Sequence, residues 1–253
     1  MRCYQIFRLV TSLLIILSVP SLTYASSTTS ESIHQPTSRF VSKMSIHHGP
    51  DEKPYKAALT FDDGPDQVFT PQILDLLKQM KVKATFFVIG KNAAKYPEII
   101  KRIENEGHIL ANHSWDHANF HHLNEYQIKK EIMQTDQLLT SITGHKPLLF
   151  RAPYGNITSS LEVQLKSMEH LLIGWSVDTR DWAGPDVPTI LQTVTKQIRP
   201  GGIILQHCAS GQQVNLTNTI EALPLIVQKL TKEGYTFVTI PELLSTQAYK
   251  MEP

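Results

Sequence analysis

The chain has 253 residues, of which 41% are hydrophobic, and it carries 24 Lys and Arg against 23 Asp and Glu. This is enough apolar material for the core of one domain. The nearly balanced charge excludes a strongly basic nucleic-acid-binding protein, and no feature of the composition indicates a nucleic-acid or protein partner.

Residues 1–25 have the features of an export signal: basic residues, an apolar stretch over 9–19 and small residues before position 26. The apolar stretch is shorter than the ~20 residues that span a bilayer. We therefore expect cleavage and a secreted, cell-wall-associated or membrane-associated protein outside the cell; an uncleaved N-terminal anchor is the alternative. Cleavage would remove Cys3 and leave Cys208 without a disulfide partner.

Residues 26–53 are rich in Ser, Thr, His and Pro and show no sustained apolar period. This composition predicts a flexible linker rather than a packed segment. We place the start of the folded domain at residue 54 and extend it to residue 253.

From residue 54 onward, the apolar pattern alternates between strand and helix. In chain order it predicts strand 57–61, helix 70–80, strand 84–89, helix 97–106, strand 108–112, a helix from the Asn124 cap to Gly144, strands 148–150 and 171–177, helix 187–198, strand 202–205, helix 217–233 and strand 236–238. This alternation indicates an α/β fold with a parallel sheet, either a barrel or doubly wound.

The positions of the polar residues decide between these two folds. A polar residue lies at or just after the end of most of the predicted strands: Asp62, Asp63, His113, Arg151, Asp178 and His207. Barrels collect catalytic groups at the C-terminal ends of several strands, and no Gly-rich dinucleotide-binding turn is present. We therefore expect a (β/α) barrel with about seven parallel strands.

Asp62 and Asp63 are adjacent carboxylates between an apolar strand and a Gly-Pro turn. Repulsion between neighbouring carboxylates is on the order of 1 kcal/mol at ~4 Å even in water. Such a pair is tolerated where a cation or a shared proton offsets the repulsion. The pair therefore suggests a metal-dependent hydrolase.

His113 and His117 are four residues apart, a spacing that can place both rings on one face within reach of one ion. By itself the spacing is weak evidence and is more typical of surface or core histidines, and His121 or His122 could replace a ligand. Together with Asp63, the pair forms a two-His, one-carboxylate set that leaves coordination positions open for water and substrate. Asp62 is then free to act as a general base.

Five segments in chain order resemble the motifs of the polysaccharide deacetylase family, the NodB-like enzymes of carbohydrate esterase family 4. They are Thr-Phe-Asp-Asp-Gly-Pro at 60–65, His-Ser-x-x-His at 113–117, Arg-Ala-Pro-Tyr-Gly at 151–155, Asp-Thr-Arg-Asp-Trp at 178–182 and Leu-Gln-His at 205–207. The resemblance spans roughly residues 54–245 and implies a distorted (β/α) barrel.

The resemblance also implies roles for the site residues. Asp62 would be the catalytic base and His207 the general acid, and one divalent ion, zinc with cobalt or nickel as alternatives, would be bound by Asp63, His113 and His117. The backbone N–H of Tyr154 would help to hold the oxyanion.

Four further residues complete the predicted site. Arg151 would pair with Asp62 and keep it ionised, and Asp181, with Asp178 as the alternative, would orient His207 and keep it protonated. Trp182 and Leu205 would form walls of the cleft, although both could equally belong to the core. We interpret Cys208 as a buried apolar residue rather than a nucleophile.

The resemblance implies a secreted hydrolase that removes acetyl groups from N-acetylglucosamine units of a cell-wall polysaccharide, with peptidoglycan favoured over chitin-like oligomers. The alternatives are an N-acetylmuramic acid deacetylase and a relative that binds glycan without turnover. A protein of the last kind would be expected to lack Asp62, a metal ligand or His207, and all of these are present.

Overall fold

The computed structural model describes residues 45–209 and 214–250, so the predicted signal at 1–25 and residues 26–44 of the predicted linker lie outside the described residues. The strands are β1 (Ser45–Ile46), β2 (Lys56–Asp62), β3 (Thr85–Val88), β4 (Ile109–Asn112), β5 (Lys146–Pro147), β6 (Leu149–Phe150), β7 (Leu171–Ile173), β8 (Val177–Asp178), β9 (Gly202–His207), β10 (Thr236–Phe237) and β11 (Tyr249–Lys250). The helices are α1 (Phe69–Met80), α2 (Gly90–Lys95), α3 (Pro97–Asn105), α4 (Glu125–Thr143), α5 (Ser159–Ser167), α6 (Val187–Gln197), α7 (Thr217–Lys232) and α8 (Ile240–Leu244).

One parallel sheet dominates the fold. Its strand order is β1-β7-β6-β4-β3-β2-β9-β8, with β10 added beside β2. Only residues 174–176 connect β7, near one edge, to β8 at the other edge, so the sheet curls back on itself. The predicted distorted barrel is confirmed: seven strands form the curled sheet, and β1 and β10 are two-residue additions to it.

The alternation of side chains along β2 explains how the sheet positions the site. Ala57, Leu59 and Phe61 belong to the buried cluster that also contains residues of α1, α3 and α7. Thr60 and Asp62, on the alternate positions, reach Arg151 instead. Because successive side chains of a strand point to opposite faces, a strand that anchors the helices also presents Asp62 at its C-terminal end.

The fold begins earlier than the sequence predicts. Ser45 and Ile46 pair with Leu172 and Ile173 of β7, and the backbone N–H of Gly49 donates to the carbonyl of Gly201 at 2.7 Å. Residues 45–53, which the sequence analysis assigns to the linker, are therefore part of the folded body. A two-residue strand is too short to show an alternating pattern, which is why the sequence does not reveal it.

The predicted strand 171–177 is also divided in the structure. It forms β7 and β8, and the strand is interrupted from Gly174 onward. At Gly174 an added Cβ would lie 2.3 Å from the ring of His47.

Within residues 45–209 and 214–250, none of the helices has both the length and the apolar character needed to span a membrane.

Candidate active site

A cavity of about 460 Å³ lies at the C-terminal ends of β2, β4, β8 and β9. Its lining includes eight of the ten predicted site residues: Asp62, Asp63, His113, His117, Tyr154, Trp182, Leu205 and His207. The other two, Arg151 and Asp181, form hydrogen bonds to Asp62 and His207. A larger cavity of about 630 Å³ beside α4 contains no comparable set of catalytic groups among the described residues.

Asp62 is held by a buried guanidinium. Arg151 Nη1 donates to Asp62 Oδ1 at 2.7 Å and to Thr60 Oγ1 at 2.9 Å, and Arg151 Nη2 donates to the carbonyl of Gly174 at 2.9 Å. The guanidinium also lies 4.0 Å from the ring centroid of Phe87. A buried charge must be paired, and these hydrogen bonds fix Arg151 and thereby orient Asp62.

Asp63 faces a different set of groups because its backbone has a φ of +71°. Its Oδ1 lies 3.4 Å from His113 Nε2 and 3.2 Å from His117 Nε2. Burial alone would raise the pKa of Asp63, but the imidazoles of His113 and His117 beside it outweigh burial and lower the pKa to about 2. Asp63 is therefore a carboxylate at neutral pH.

These three residues fit a divalent metal ion. Their ligand atoms all lie within 4.8 Å of one another, and the buried Oδ1 of Asp63 has no hydrogen-bond partner among the described residues. His113 Nδ1 donates to the carbonyl of Arg151 at 2.8 Å, which leaves the Nε2 lone pair directed to the cluster. Burial lowers the pKa of His117, so its neutral, ligating form is favoured.

His207 lies in the same cavity and is supported by Asp181. Nδ1 of His207 donates to Asp181 Oδ1 at 2.7 Å, and the backbone N–H of His207 donates to Asp181 Oδ2 at 2.8 Å. Burial would lower the pKa of His207, but the hydrogen bond and charge of Asp181 raise it to about 9. The raised pKa favours a protonated imidazole in the cavity that Asp62 and Asp63 also line. Asp178, the alternative partner, instead accepts the backbone N–H of Arg180 at 2.8 Å.

The three predicted substrate-contacting residues occupy different parts of the cavity wall. Tyr154 is 65% exposed, and its ring centroid lies 4.5 Å from that of His117. Trp182 is 48% exposed, whereas Leu205 is buried. Exposed aromatic side chains offer flat apolar faces to a sugar ring. The roles of these three residues remain predictions.

Sequence reasoning missed two contributors to the site. Trp175 lines the cavity, and Thr219 Oγ1 donates to Asp181 Oδ2 at 3.0 Å. Trp175 lies within the segment predicted as one strand, and Thr219 lies in a predicted helix, so neither carried a catalytic signal. Cys208 is fully buried, and burial raises the pKa of its thiol well above the usual range, which agrees with an apolar rather than a nucleophilic role.

Comparison with known proteins agrees with the family resemblance of the five sequence motifs. The family model for polysaccharide deacetylase matches residues 49–172. The chain is 45% identical over 194 residues to a peptidoglycan-N-acetylglucosamine deacetylase of Bacillus cereus, covering 76% of this chain and 69% of the relative. It is 40% identical over 186 residues to the peptidoglycan-N-acetylmuramic acid deacetylase PdaC of Bacillus subtilis, covering 74% of this chain and 38% of PdaC.

A solved structure supports the same conclusion for the fold. The Bc1960 peptidoglycan N-acetylglucosamine deacetylase, in complex with 4-naphthalen-1-yl-N-oxidanyl-benzamide, superimposes with a TM-score of 0.77. The two chains share 41% sequence identity, and the match covers 81% of this chain and 94% of that one. At this level of identity, the similarity extends to sequence as well as to fold.

Proposed function

Because the chain belongs to the polysaccharide deacetylase family, we propose that it is a metal-dependent hydrolase that removes acetyl groups from N-acetylglucosamine units of peptidoglycan outside the cell. The observation that carries the proposal is the arrangement around one cavity. Asp62 paired with Arg151 and His207 paired with Asp181 flank the three-ligand cluster of Asp63, His113 and His117.

Asp62 is suited to the first proton transfer. Its Oδ1 lies 2.7 Å from Arg151 Nη1, and its Oδ2 lies 3.7 Å from His113 Nε2, beside the proposed ligand cluster. Asp62 takes a proton from water as the water oxygen forms a bond to the amide carbonyl carbon. Arg151 keeps the carboxylate in place during this step, because its guanidinium is fixed by several buried hydrogen bonds.

Asp63, His113 and His117 would hold the metal ion. When bound, a divalent ion supplies Lewis acidity, which polarises the acetamido carbonyl and lowers the pKa of water. Zinc suits a set of two imidazoles and one carboxylate, and cobalt and nickel are alternatives that accept the same ligands.

His207 is suited to the second proton transfer. Its raised pKa keeps the ring protonated at neutral pH, and Asp181 holds the ring through Nδ1, so that Nε2 carries the proton to be transferred. His207 donates this proton to the amide nitrogen as the carbon–nitrogen bond breaks. The products are acetate and the free amine of the sugar, a leaving group that departs poorly without a proton.

Peptidoglycan is favoured as substrate by the similarity to the Bacillus cereus relative and by the open cavity with its exposed aromatic residues, Tyr154 and Trp182. A second candidate is deacetylation of N-acetylmuramic acid, which the similarity to PdaC favours. The same catalytic groups would serve both reactions. A glycan-binding protein without turnover is disfavoured, because every group that the reaction requires is present in the site.

The substrate can be identified from the products. Purified peptidoglycan is incubated with the zinc-loaded protein, digested to muropeptides and analysed by tandem mass spectrometry, with Asp62→Asn protein as the control. We expect glucosamine in the wild-type digest alone. Muramic acid without an acetyl group would favour the second candidate, and unchanged sugars with metal bound would contradict both.

A further inference from the structure

The two proposed histidine ligands lie on an irregular segment, residues 113–117, which follows β4 and which we call the ligand loop. Two of its residues have left-handed backbone conformations, Ser114 with a φ of +68° and His117 with a φ of +54°. Non-glycine residues adopt this region only when surrounding contacts compensate for it. The contacts that hold the loop therefore determine where the His113 and His117 side chains lie.

Glu131 of α4 provides two of these contacts. Its Oε2 accepts the backbone N–H of Trp115 at 3.0 Å and that of Asp116 at 2.9 Å. Hydrogen bonds to an ionised acceptor are stronger than those between neutral groups. One carboxylate oxygen thus fixes two successive peptide groups between the histidines.

The same helix also fixes the beginning of the loop. Asn112 Nδ2 donates to the carbonyl of Ile132 at 2.9 Å and to Asp136 Oδ1 at 2.8 Å, and Asn112 Oδ1 accepts the N–H of Ser114 at 2.8 Å. Asp136 is buried and also contacts His170 Nε2 at 2.9 Å. Removal of Asp136 would leave a buried histidine without its partner, so Glu131 is the residue at which the effect on the loop can be isolated.

The opposite side of the loop contacts α2. The N–H groups of Gly90 and Lys91 donate to the carbonyls of Ser114 and Trp115, both at 2.9 Å. A Cβ at Gly90 would lie 2.4 Å from the ring of Trp115 and 2.5 Å from Thr135 Oγ1. The loop is therefore held between α2 and α4. Among the described interactions with these two helices, only α4 contributes a charged side chain, that of Glu131, which accepts hydrogen bonds from the backbone of the loop.

We propose that Glu131 is a positioning residue for the metal ion: it holds the ligand loop in the conformation that directs His113 and His117 to Asp63. This inference rests on the proposed metal-dependent function. Glu131 does not line the active-site cavity, so it acts through the backbone of Trp115 and Asp116 and not on the substrate.

The test measures zinc affinity, by competition with a chromophoric chelator, for wild-type, Glu131→Ala, Glu131→Gln and Glu125→Ala proteins. Residues that orient metal ligands typically change affinity about 10-fold or more. We expect the zinc Kd to rise about 10-fold in Glu131→Ala and less in Glu131→Gln, which keeps an acceptor oxygen. Glu125, an exposed glutamate in the first turn of the same helix, is the matched control and should leave Kd unchanged.

Cobalt substitution provides a second measurement that does not depend on turnover. The visible absorption of bound cobalt reports its coordination geometry, so we expect Glu131→Ala to alter the spectrum and Glu125→Ala to leave it unchanged. Thermal unfolding of the metal-free proteins separates a loss of metal affinity from a general loss of stability.

A folded Glu131→Ala protein with a wild-type zinc Kd and cobalt spectrum would overturn the proposal, even if its Tm were lower. If Glu131→Ala does not fold, Glu131→Gln decides: a Kd raised above that of Glu125→Ala supports the positioning role, and a Kd equal to that of Glu125→Ala overturns it. If the wild-type protein itself does not bind zinc or cobalt, the proposed function fails instead, so the two failures are distinguishable.

Discussion

At the scale of single residues, adjacent Asp62 and Asp63 have separate environments. Asp62 ends β2 in an extended conformation, whereas Asp63 turns into the left-handed region. Asp62 therefore reaches Arg151, and Asp63 reaches the two histidines. The residue pattern suggests Asp63 as a ligand and Asp62 as the base, but it does not show how two adjacent side chains reach different partners, because backbone φ values cannot be read from residue types.

Replacement of Asp62 by Asn should abolish turnover while metal remains bound. General-base catalysis contributes about 10²–10⁴-fold, so we expect kcat to fall by at least 10²-fold. Asp63, His113 and His117 are unchanged in this variant, and zinc content measured by atomic absorption should stay near that of the wild type. Turnover close to wild type in a folded, zinc-loaded variant would show that Asp62 is not the base.

Replacement of Asp181 by Asn should change the pH profile. The pKa of His207 is raised to about 9, so the protonated acid is present below that pH and is lost as the pH rises through it. Without the charge of Asp181, we expect the alkaline limb of kcat/KM to move to lower pH by about one unit or more. The control is Asp178→Asn. Asp178 lines the same cavity but does not contact His207 among the described interactions, so its replacement should leave the alkaline limb at the same pH.

At the scale of secondary-structure elements, the sequence predicts the helices that are long or that carry a capping signal and misses most of the short elements. Helices α1, α3, α4, α6 and α7 correspond to predicted helices, because each is long enough to show a helical apolar period or carries a terminal signal. The short elements β1, β5, β11, α2 and α8 do not present a full period. Helix α5 was missed although its signal exists: Thr158 caps it, and Leu161 and Leu165 are buried four residues apart.

The N-terminus of α4 offers a test of local stability away from the catalytic groups. Asn124 Oδ1 accepts the N–H of Gln127, and Gln127 Oε1 accepts the N–H of Asn124, both at 2.9 Å. Loss of an N-cap side chain costs about 0.5–2 kcal/mol, so Asn124→Ala should lower the free energy of unfolding by about 1 kcal/mol. Gln127→Ala, which removes only the reciprocal bond, should have a smaller effect in urea titrations. Equal free energies of unfolding for the wild-type, Asn124→Ala and Gln127→Ala proteins would contradict the capping role.

At the scale of the whole molecule, the parallel sheet assembles residues that are distant in sequence. Asp62 pairs in register with Phe87 of β3 and His207 of β9, and Asn112 pairs with Phe150. Parallel strands bring their C-terminal ends to one edge, so the polar residues that follow them meet in one cavity. The alternation of strands and helices predicts this arrangement, but strand order and register depend on contacts between distant residues and could not be read from one sequence.

The N-terminal boundary gives a prediction at this scale. Residues 45–53 contribute β1, the bridge between His48 and Gly202, and the packing of Gly49 against Leu243. We expect a protein of residues 54–253 to unfold at a lower temperature than one of residues 45–253, by several degrees, because it leaves the edge of β7 unpaired. Equal Tm values would show that residues 45–53 add no stability.

The central claim is that this chain hydrolyses acetamido groups of a cell-wall polysaccharide with a metal ion held by Asp63, His113 and His117. The most direct test is acetate release from purified peptidoglycan by the protein stripped with a chelator and then titrated with zinc. We predict no release from the stripped protein and recovery that saturates at one zinc ion per chain. Release that persists without metal, or no release after one zinc ion is bound, would contradict the claim.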